Sequence, residues 1–260
     1  MKIVVLVKHV PDSTADRRFN PDGTTDRESA DSRLSELDEY AVEQALQLAE
    51  SLPDARITYL TMGPEDASEA LRRALSMGGD DAVHLLDDAL HGSDCLATSR
   101  VLAGAVAKLG FDLVLCGMAS TDGGGQVVPA MLAERLGVAQ ATFAGELALD
   151  GGRILVRRDG DSATERLSAP LPAVVSVTDR TGEARYPNFK GLMAAKKKPL
   201  HTWDLSELGL DPAPTGSATR VTGIAERPAR QAGTVIRDDG DAAAQLADYL
   251  VAQNLIPRSA

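Results

Sequence analysis

The stretch Asp112–Val127, DLVLCGMASTDGGGQV, decides the fold. It begins with Leu113, Val114, Leu115 and Cys116, a short apolar run of the kind buried in a parallel sheet. The chain then breaks at Ser120-Thr121-Asp122-Gly123-Gly124-Gly125. Beyond the break, Val127, Met131, Leu132 and Leu136 recur at helical spacing. A strand, a glycine-rich turn and a helix start, in that order, make a cradle for an anion. Glycine lets the backbone come close, and the first helical turn points free N–H groups and the positive dipole end outward. The segment is neither a GxGxxG nor a Walker sequence. The local pattern therefore leaves two readings open, a nucleotide loop and an ordinary strand-to-helix turn.

The same alternation extends toward the start of the chain. Ile3–Val7 is an apolar strand with Lys8 and His9 at its carboxyl end. A helix is predicted over Glu36–Ser51, where Leu37, Ala41, Ala45 and Leu48 fall on one face, with Ser35 as N-cap and Asp38 in the capping-box position. Ile57–Met62 is a second strand, stopped by Gly63-Pro64, and Glu65–Met77 a second helix ending at Gly78-Gly79. Ala82–Leu86 and Ser93–Leu109 repeat the unit. Residues 11–32 read as a surface excursion with a small hairpin around Pro21-Asp22-Gly23. Strands alternating with helices predict an α/β fold, a three-layer, doubly wound, mainly parallel sheet of the adenine-nucleotide-binding type. Ligands bind such sheets beyond the carboxyl ends of strands, which here lie near Lys8, Met62 and Gly117.

Toward the other end the pattern changes. Arg153–Arg158 and Thr164–Leu167 form an expected antiparallel addition, and Ala173–Val177 is another buried strand. Trp203–Arg230 has many Pro, Gly and Thr residues and little periodicity, and a last amphipathic helix spans about Asp241–Gln253. The expected division is a nucleotide-binding domain over residues 1–200 and an extended arm with a helix over 201–260. Such an arm is a poor autonomous domain and is expected to pack on a partner subunit.

Aromatic residues are only 3%, so the core must be built mostly from Ala, Val, Leu and Ile. A net charge of −11 argues against nucleic acid and anionic membrane surfaces as partners. Cys95 and Cys116 have no metal-type spacing and read as reduced thiols of a cytoplasmic protein. The opening MKIVVLVKHV reads as a strand and not a signal peptide, and no apolar run reaches membrane-spanning length. His9, His84, His91 and His201 are scattered, with no metal pair and no nucleophile elbow, so no catalytic set is expected. Whatever the loop binds is then held and not transformed. Lys8 is placed either to neutralise a phosphate or to pair with a carboxylate. Asp122 is expected to cap the following helix or form the turn, with ribose hydroxyls as its other use. Arg72 and Arg73 read as a solvated face.

Several segments together resemble the beta subunit of electron transfer flavoprotein. They are VLVKHVPD, ELDEYAVEQAL, MGPEDASEALRRALSMGGDDAVHL, DLVLCGMASTDGGGQV, LPAVVSV, ARYPNF and GLMAAKKK. Glu165, Leu167, Pro172, Val174, Val175 and Ser176 match the latter half of the family signature, while Asp159-Gly160-Asp161-Ser162-Ala163 departs from its first half. The resemblance implies a heterodimer with an alpha subunit, which holds most of a shared FAD. It implies electrons taken from flavin dehydrogenases and passed to a membrane quinone oxidoreductase. It further implies a structural AMP in this chain, which needs no catalytic residues. By the same resemblance the AMP pocket uses Leu6 on the first strand, Ser35, Glu36, Leu37 and Asp38 at the helix entry, Met62, and Leu113. Lys8 joins them on its position alone. The loop adds Gly117, Met118, Ala119, Ser120, Thr121 and Asp122, then Gly123, Gly124, Gly125, Gln126 and Val127. Tyr186–Met193 resembles the loop by which the family docks dehydrogenases. Phe189 is the matching anchor, with Tyr186, Leu192 and Met193 around it, and packing of Phe189 on the sheet is the competing reading. Two other functions stay open: an electron-bifurcating subunit with a second FAD in the AMP site, and a stand-alone adenine-nucleotide module.

Overall fold

The computed structural model describes residues 1–211, 217–225, 228 and 233–257. They fall into two units, Met1–Thr222 and Gly223–Ala260. The first begins with strand β1 (Lys2–Leu6) and a two-stranded ribbon, β2 (His9–Pro11) and β3 (Ser32–Leu34), which encloses the 11–32 excursion. Then come α1 (Glu36–Glu50), β4 (Arg56–Met62), α2 (Ser68–Met77), β5 (Asp81–Leu85), α3 (Cys95–Leu109), β6 (Leu113–Gly117) and α4 (Val128–Leu136). Strands β7 (Ala139–Ala144), β8 (Glu146–Asp150), β9 (Arg153–Asp159), β10 (Thr164–Pro170) and β11 (Ala173–Val177) follow, then α5 (Phe189–Ala195) and β12 (Leu200–Trp203).

Seven strands form one sheet in the order β12-β5-β4-β1-β6-β11-β7, and every neighbouring pair is parallel. The two faces follow from the two-residue period of a strand. Ile3 and Val5 of β1 point to the face covered by Ala41, Val42 and Ala45 of α1 and Leu71 and Ala74 of α2. Val4 and Leu6 point to the face covered by Val101, Leu102 and Ala105 of α3 and Leu132 of α4. Each fully buried Val, Leu or Ile side chain among them contributes roughly 1.5–3 kcal/mol, which is how a chain poor in aromatics holds three layers together. Ile154 and Val156 of the three-stranded antiparallel sheet β10-β9-β8 extend the first core.

The order of the strands positions the site. From β1 the chain steps outward through β4 to β5, then returns to place β6 on the other side of β1. The connections after β1 and β6 therefore leave a crevice between them at the carboxyl ends of the two strands, the topological switch point where ligands of such sheets bind.

Several elements depart from the sequence reading. Helix α4 starts at Val128, one residue after the first of the apolar positions read at helical spacing, because Gln126 has φ 58° and cannot continue into a right-handed helix. Strands β7, β8 and β12 and helix α5 were not anticipated. Strand β12 joins the sheet edge beside β5 and Leu205 is fully buried, so the sheet unit continues past residue 200. The hairpin in the excursion is present, with Phe19 bridged to Thr25 and the Gly23 N–H donating to Asn20 O at 2.9 Å. Of the expected arm, residues 212–216, 226–227, 229–232 and 258–260 lie outside the described residues. The described residues 217–225 contain no helix or strand. The second unit contains α6 (Ala242–Ala252), none of whose residues is buried.

Candidate functional site

The floor of the crevice is a carboxyl group. Helix α1 begins where β1 and β6 end, and both strand ends carry a backbone N–H that needs an acceptor. Asp38 supplies it: Lys8 N–H donates to Oδ2 at 2.9 Å and Gly117 N–H to Oδ1 at 3.2 Å. The approach is so close that a Cβ on Gly117 would lie 2.5 Å from Asp38 Oδ1 and 2.7 Å from Leu37 O. This corrects the expected capping box. Ser35 is the N-cap residue, but its side chain makes no cap hydrogen bond, and Asp38 is turned into the crevice. Burial pushes the Asp38 carboxyl up to about 7, against the pull of the two N–H donors and the Lys8 charge. Ser35 Oγ is buried beside it in the chain with no hydrogen-bond partner.

The rim is an ion cluster around Asp122, whose side chain is only 2% exposed. Lys8 Nζ lies 2.9 Å from Oδ1 and Arg27 Nη2 2.5 Å from Oδ2. Arg27 also donates to His9 O at 3.1 Å, and Arg17 donates to Thr121 O. The 11–32 excursion is thus fastened onto the glycine-rich loop. Burial alone would push Asp122 up, but the Lys8 charge and the hydrogen bonds from Arg27, Lys8 and Ser120 outweigh it and hold the carboxyl well below the usual range. Asp122 therefore does not cap α4, as expected from sequence, because its oxygens are taken by two cations. It does form the turn, accepting from Gly123 N–H at 2.7 Å. Gly124 N–H donates to Ser120 O at 3.0 Å, and Gly124 adopts φ 59°, a conformation glycine tolerates. Among the described residues, the N–H groups of Gly125, Gln126 and Val127 have no hydrogen-bond partner as the chain enters α4. Two cations sharing one carboxylate leave local positive charge on a chain of net charge −11, in the loop that also carries the free N–H groups.

The fold brings most of the expected residues together. Leu6, Lys8, Ser35, Leu37, Asp38 and the loop 117–127 meet at the β1/β6 crevice, with Met118 N–H tied to Val177 O at 2.9 Å. Met62 ends β4, on the side of β1 away from β6. Glu36 is exposed and turned to the excursion, 3.2 Å from Ser13 Oγ. Leu113 stands apart: it is at the amino end of β6, fully buried and paired with Ile3. Arg17 and Arg27 were missed, because nothing in the spacing of a polar excursion tells which arginine folds back.

The second candidate surface is Tyr186–Met193. Tyr186 and Phe189 are 87% and 79% exposed, so Phe189 does not pack on the sheet, and Leu192 and Met193 are also exposed. Asn188 caps α5 by accepting from Gly191 N–H at 2.8 Å. Helix α5 lies on α2, tied by Arg72, which donates to Ala195 O at 2.7 Å and Lys198 O at 2.9 Å. Arg72 is thus a staple between helices and not the solvated face expected from sequence. A cleft of about 440 Å³ opens beside it, lined by Arg72, Arg73, Ser76, Leu192, Ala195 and Lys196.

Among the described residues there is no group of three His, Cys, Asp or Glu side chains placed to hold a metal, and no helix is long and apolar enough to cross a membrane. His84 is buried with Nε2 3.0 Å from Gly63 O, a core role. Comparison with known proteins adds a name to this geometry. The family model described as electron transfer flavoprotein domain matches residues 22–208. Electron transfer flavoprotein subunit beta of Mycobacterium leprae (strain TN) is 46% identical, over 98% of this chain and 99% of its own. The protein of that name in Mycobacterium tuberculosis (strain ATCC 25618 / H37Rv) is 45% identical over the same shares. That of Megasphaera elsdenii is 35% identical over 98% of this chain and 100% of its own. Since the likeness takes in the crevice, the antiparallel addition and the exposed segment alike, the chain belongs to the electron transfer flavoprotein family, among its beta subunits.

Proposed function

We propose that this chain pairs with an alpha subunit in a heterodimer that takes electrons from flavin dehydrogenases, such as acyl-CoA dehydrogenases, and passes them to a quinone oxidoreductase of the respiratory chain. In this reading the chain is an electron-carrier subunit without catalytic residues of its own. FAD, held mainly by the alpha subunit with a contribution from this chain, supplies the redox chemistry. This chain holds an AMP as a brace and presents the docking face. Its second unit, with the unburied helix α6, packs on the alpha subunit. The free thiols Cys95 and Cys116 suit a reducing cytoplasm.

The observation that carries the AMP assignment is the Asp122 cluster at the switch point. Lys8 and Arg27 exceed the charge of the one carboxylate they share, and the N–H groups of Gly125–Val127 stand free in the same loop. That donor set fits a phosphate. The unpartnered Ser35 hydroxyl, buried at the start of α1, fits a nucleotide hydroxyl or ring nitrogen. Phe189 and Tyr186 on a basic rim fit an interface anchor. The test is electron transfer itself. A heterodimer mixed with an acyl-CoA dehydrogenase and its substrate should lose its oxidised-flavin absorbance at a rate that saturates with dehydrogenase. Flavin that stays oxidised with every substrate-reduced dehydrogenase tried would contradict the reading.

A further inference from the structure

Arg185 immediately precedes the exposed segment and is fastened to α1. Its backbone N–H donates to Glu43 Oε2 at 3.0 Å, its Nε to the same oxygen at 2.7 Å and its Nη2 to Oε1 at 2.9 Å. Its Nη1 donates to Glu50 Oε1 at 2.6 Å. The Glu43 side chain is almost fully buried and is also held by Gln47 Nε2 at 2.9 Å. A guanidinium fork on a carboxylate fixes direction as well as distance, and a lysine cannot reproduce it. A second tie runs parallel. Glu39 of α1 lies 3.5 Å from Arg73 Nε, and the Arg73 guanidinium stands 5.4 Å from the centre of the Tyr186 ring. Glu39, Glu43 and Glu50 share one face of α1 by the helical repeat. Arg185 directly, and Tyr186 through Arg73, are thus bound to the helix whose first turn carries Asp38, the floor of the crevice.

This arrangement needs a reason. Helix α5 has seven residues, too few to hold a direction by itself. An exposed aromatic on a loose loop must be ordered at each encounter, and that ordering subtracts from binding. We propose that Arg185, assisted by Arg73, is a positioning residue that clamps the start of Tyr186–Met193 to helix α1 and so presents Phe189 to the dehydrogenase in its docking orientation. The inference rests on the reading of this segment as the docking face. It gives helix α1 no new chemistry, only a second task at its outer face.

The experiment is a double-mutant cycle on the heterodimer, with KM and kcat for electron acceptance from a substrate-reduced acyl-CoA dehydrogenase, flavin content and thermal midpoint measured for each variant. Phe189→Ala should raise KM about thirtyfold. Arg185→Ala should raise KM about tenfold, with kcat and flavin content within about twofold of the parent, and Arg185→Lys should fall between. The double variant should be no worse than Phe189→Ala alone, since the aim of an absent anchor does not matter. Should Arg185→Ala fail to fold, Arg73→Ala, at a half-exposed site, should raise KM a few-fold and be silent without Phe189. A KM unchanged by the Arg185 and Arg73 substitutions while Phe189→Ala raises it overturns the positioning role, as do effects that simply multiply. A KM unchanged by Phe189→Ala shows instead that the docking reading beneath it is wrong.

Discussion

The crevice and the exposed segment Tyr186–Met193 are built on opposite plans. In the crevice polar groups are buried and paired: Asp122 between two cations, Asp38 beneath two backbone N–H groups. In the exposed segment apolar groups face outward, and the pairing lies behind them, in Arg72 and Arg185. The difference suits the two tasks proposed for them. A resident ligand is met by charges whose desolvation was settled on folding. A transient partner is met by apolar area held ready on a braced support. Within the crevice a smaller contrast repeats the lesson. Asp38 and Asp122 are both buried, yet one is pushed up to about 7 and the other is held well below its usual range. Burial acts on both in the same direction, and only Asp122 has two cations to overcome it.

The largest expected effect separates the regions from the crevice side. Gly117→Ala places a methyl against Asp38 and the Leu37 carbonyl and should cost about 3 kcal/mol of stability. Urea denaturation should show the loss, and the purified heterodimer should hold less nucleotide. The docking KM below the unfolding range should stay as it was. Phe189→Ala is the mirror image: about 2 kcal/mol of association lost, with thermal midpoint and nucleotide content unchanged. If either substitution moves both sets of readouts, the two regions are not separate.

Asp122→Asn sharpens the contrast inside the crevice. It keeps the volume but removes the charge that Lys8 and Arg27 share, and both cations are partly exposed, so about 1 kcal/mol of stability should go. AMP should bind at least as tightly to the stripped variant by calorimetry, because the positive charge is then unopposed. Weaker AMP binding would mean that Asp122 itself contacts the ligand.

The last contrast is in pH. Asp38 has a folded value raised to about 7 from an ordinary 3.8, so the folded state holds its proton the more tightly. Its contribution to stability is complete below about pH 4 and is lost as pH rises through 7, at no more than about 1.4 kcal/mol per pH unit. Asp122 has the opposite sign, contributing above its ordinary value and losing that contribution only in strong acid. His9, lowered chiefly by burial, opposes Asp38 by costing stability as pH falls through its ordinary 6.5. Denaturation midpoints of the parent and of Asp38→Asn, compared at pH 5.5 and 8, isolate the Asp38 share. The parent should lose more on going to pH 8 than the variant does, and equal losses would refute the assignment.

Much of the fold was legible because it is written in period. The run Leu113–Cys116, the helix faces of α1 and α3 and the Gly-Gly end of α2 carry their structure locally. Strand β12 was not legible, since Leu200–Trp203 has no alternation and becomes a strand only by pairing with β5. The loop 117–127 was found through its glycines and its place after a strand. The capping roles expected of Asp38 and Asp122 failed for one reason: each looked like a local cap, and each is taken by groups distant in sequence, Gly117 for one and Lys8 and Arg27 for the other, while the turn expected of Asp122 is formed. Arg72 was misjudged likewise, its partners Ala195 and Lys198 lying far along the chain. Short-range rules recover turns and periods. Long-range ion pairs become visible only when the sheet order is known.

The central claim is that the crevice between β1 and β6 holds an adenine nucleotide that is not a redox group. The most direct test is the nucleotide content of the heterodimer, purified with its alpha subunit, denatured and resolved by chromatography. One FAD and one AMP per heterodimer is the predicted result, with the AMP lost from a Gly117→Ala heterodimer that keeps its FAD. Two FAD and no AMP would contradict the account, placing electrons in the crevice where it assigns a brace.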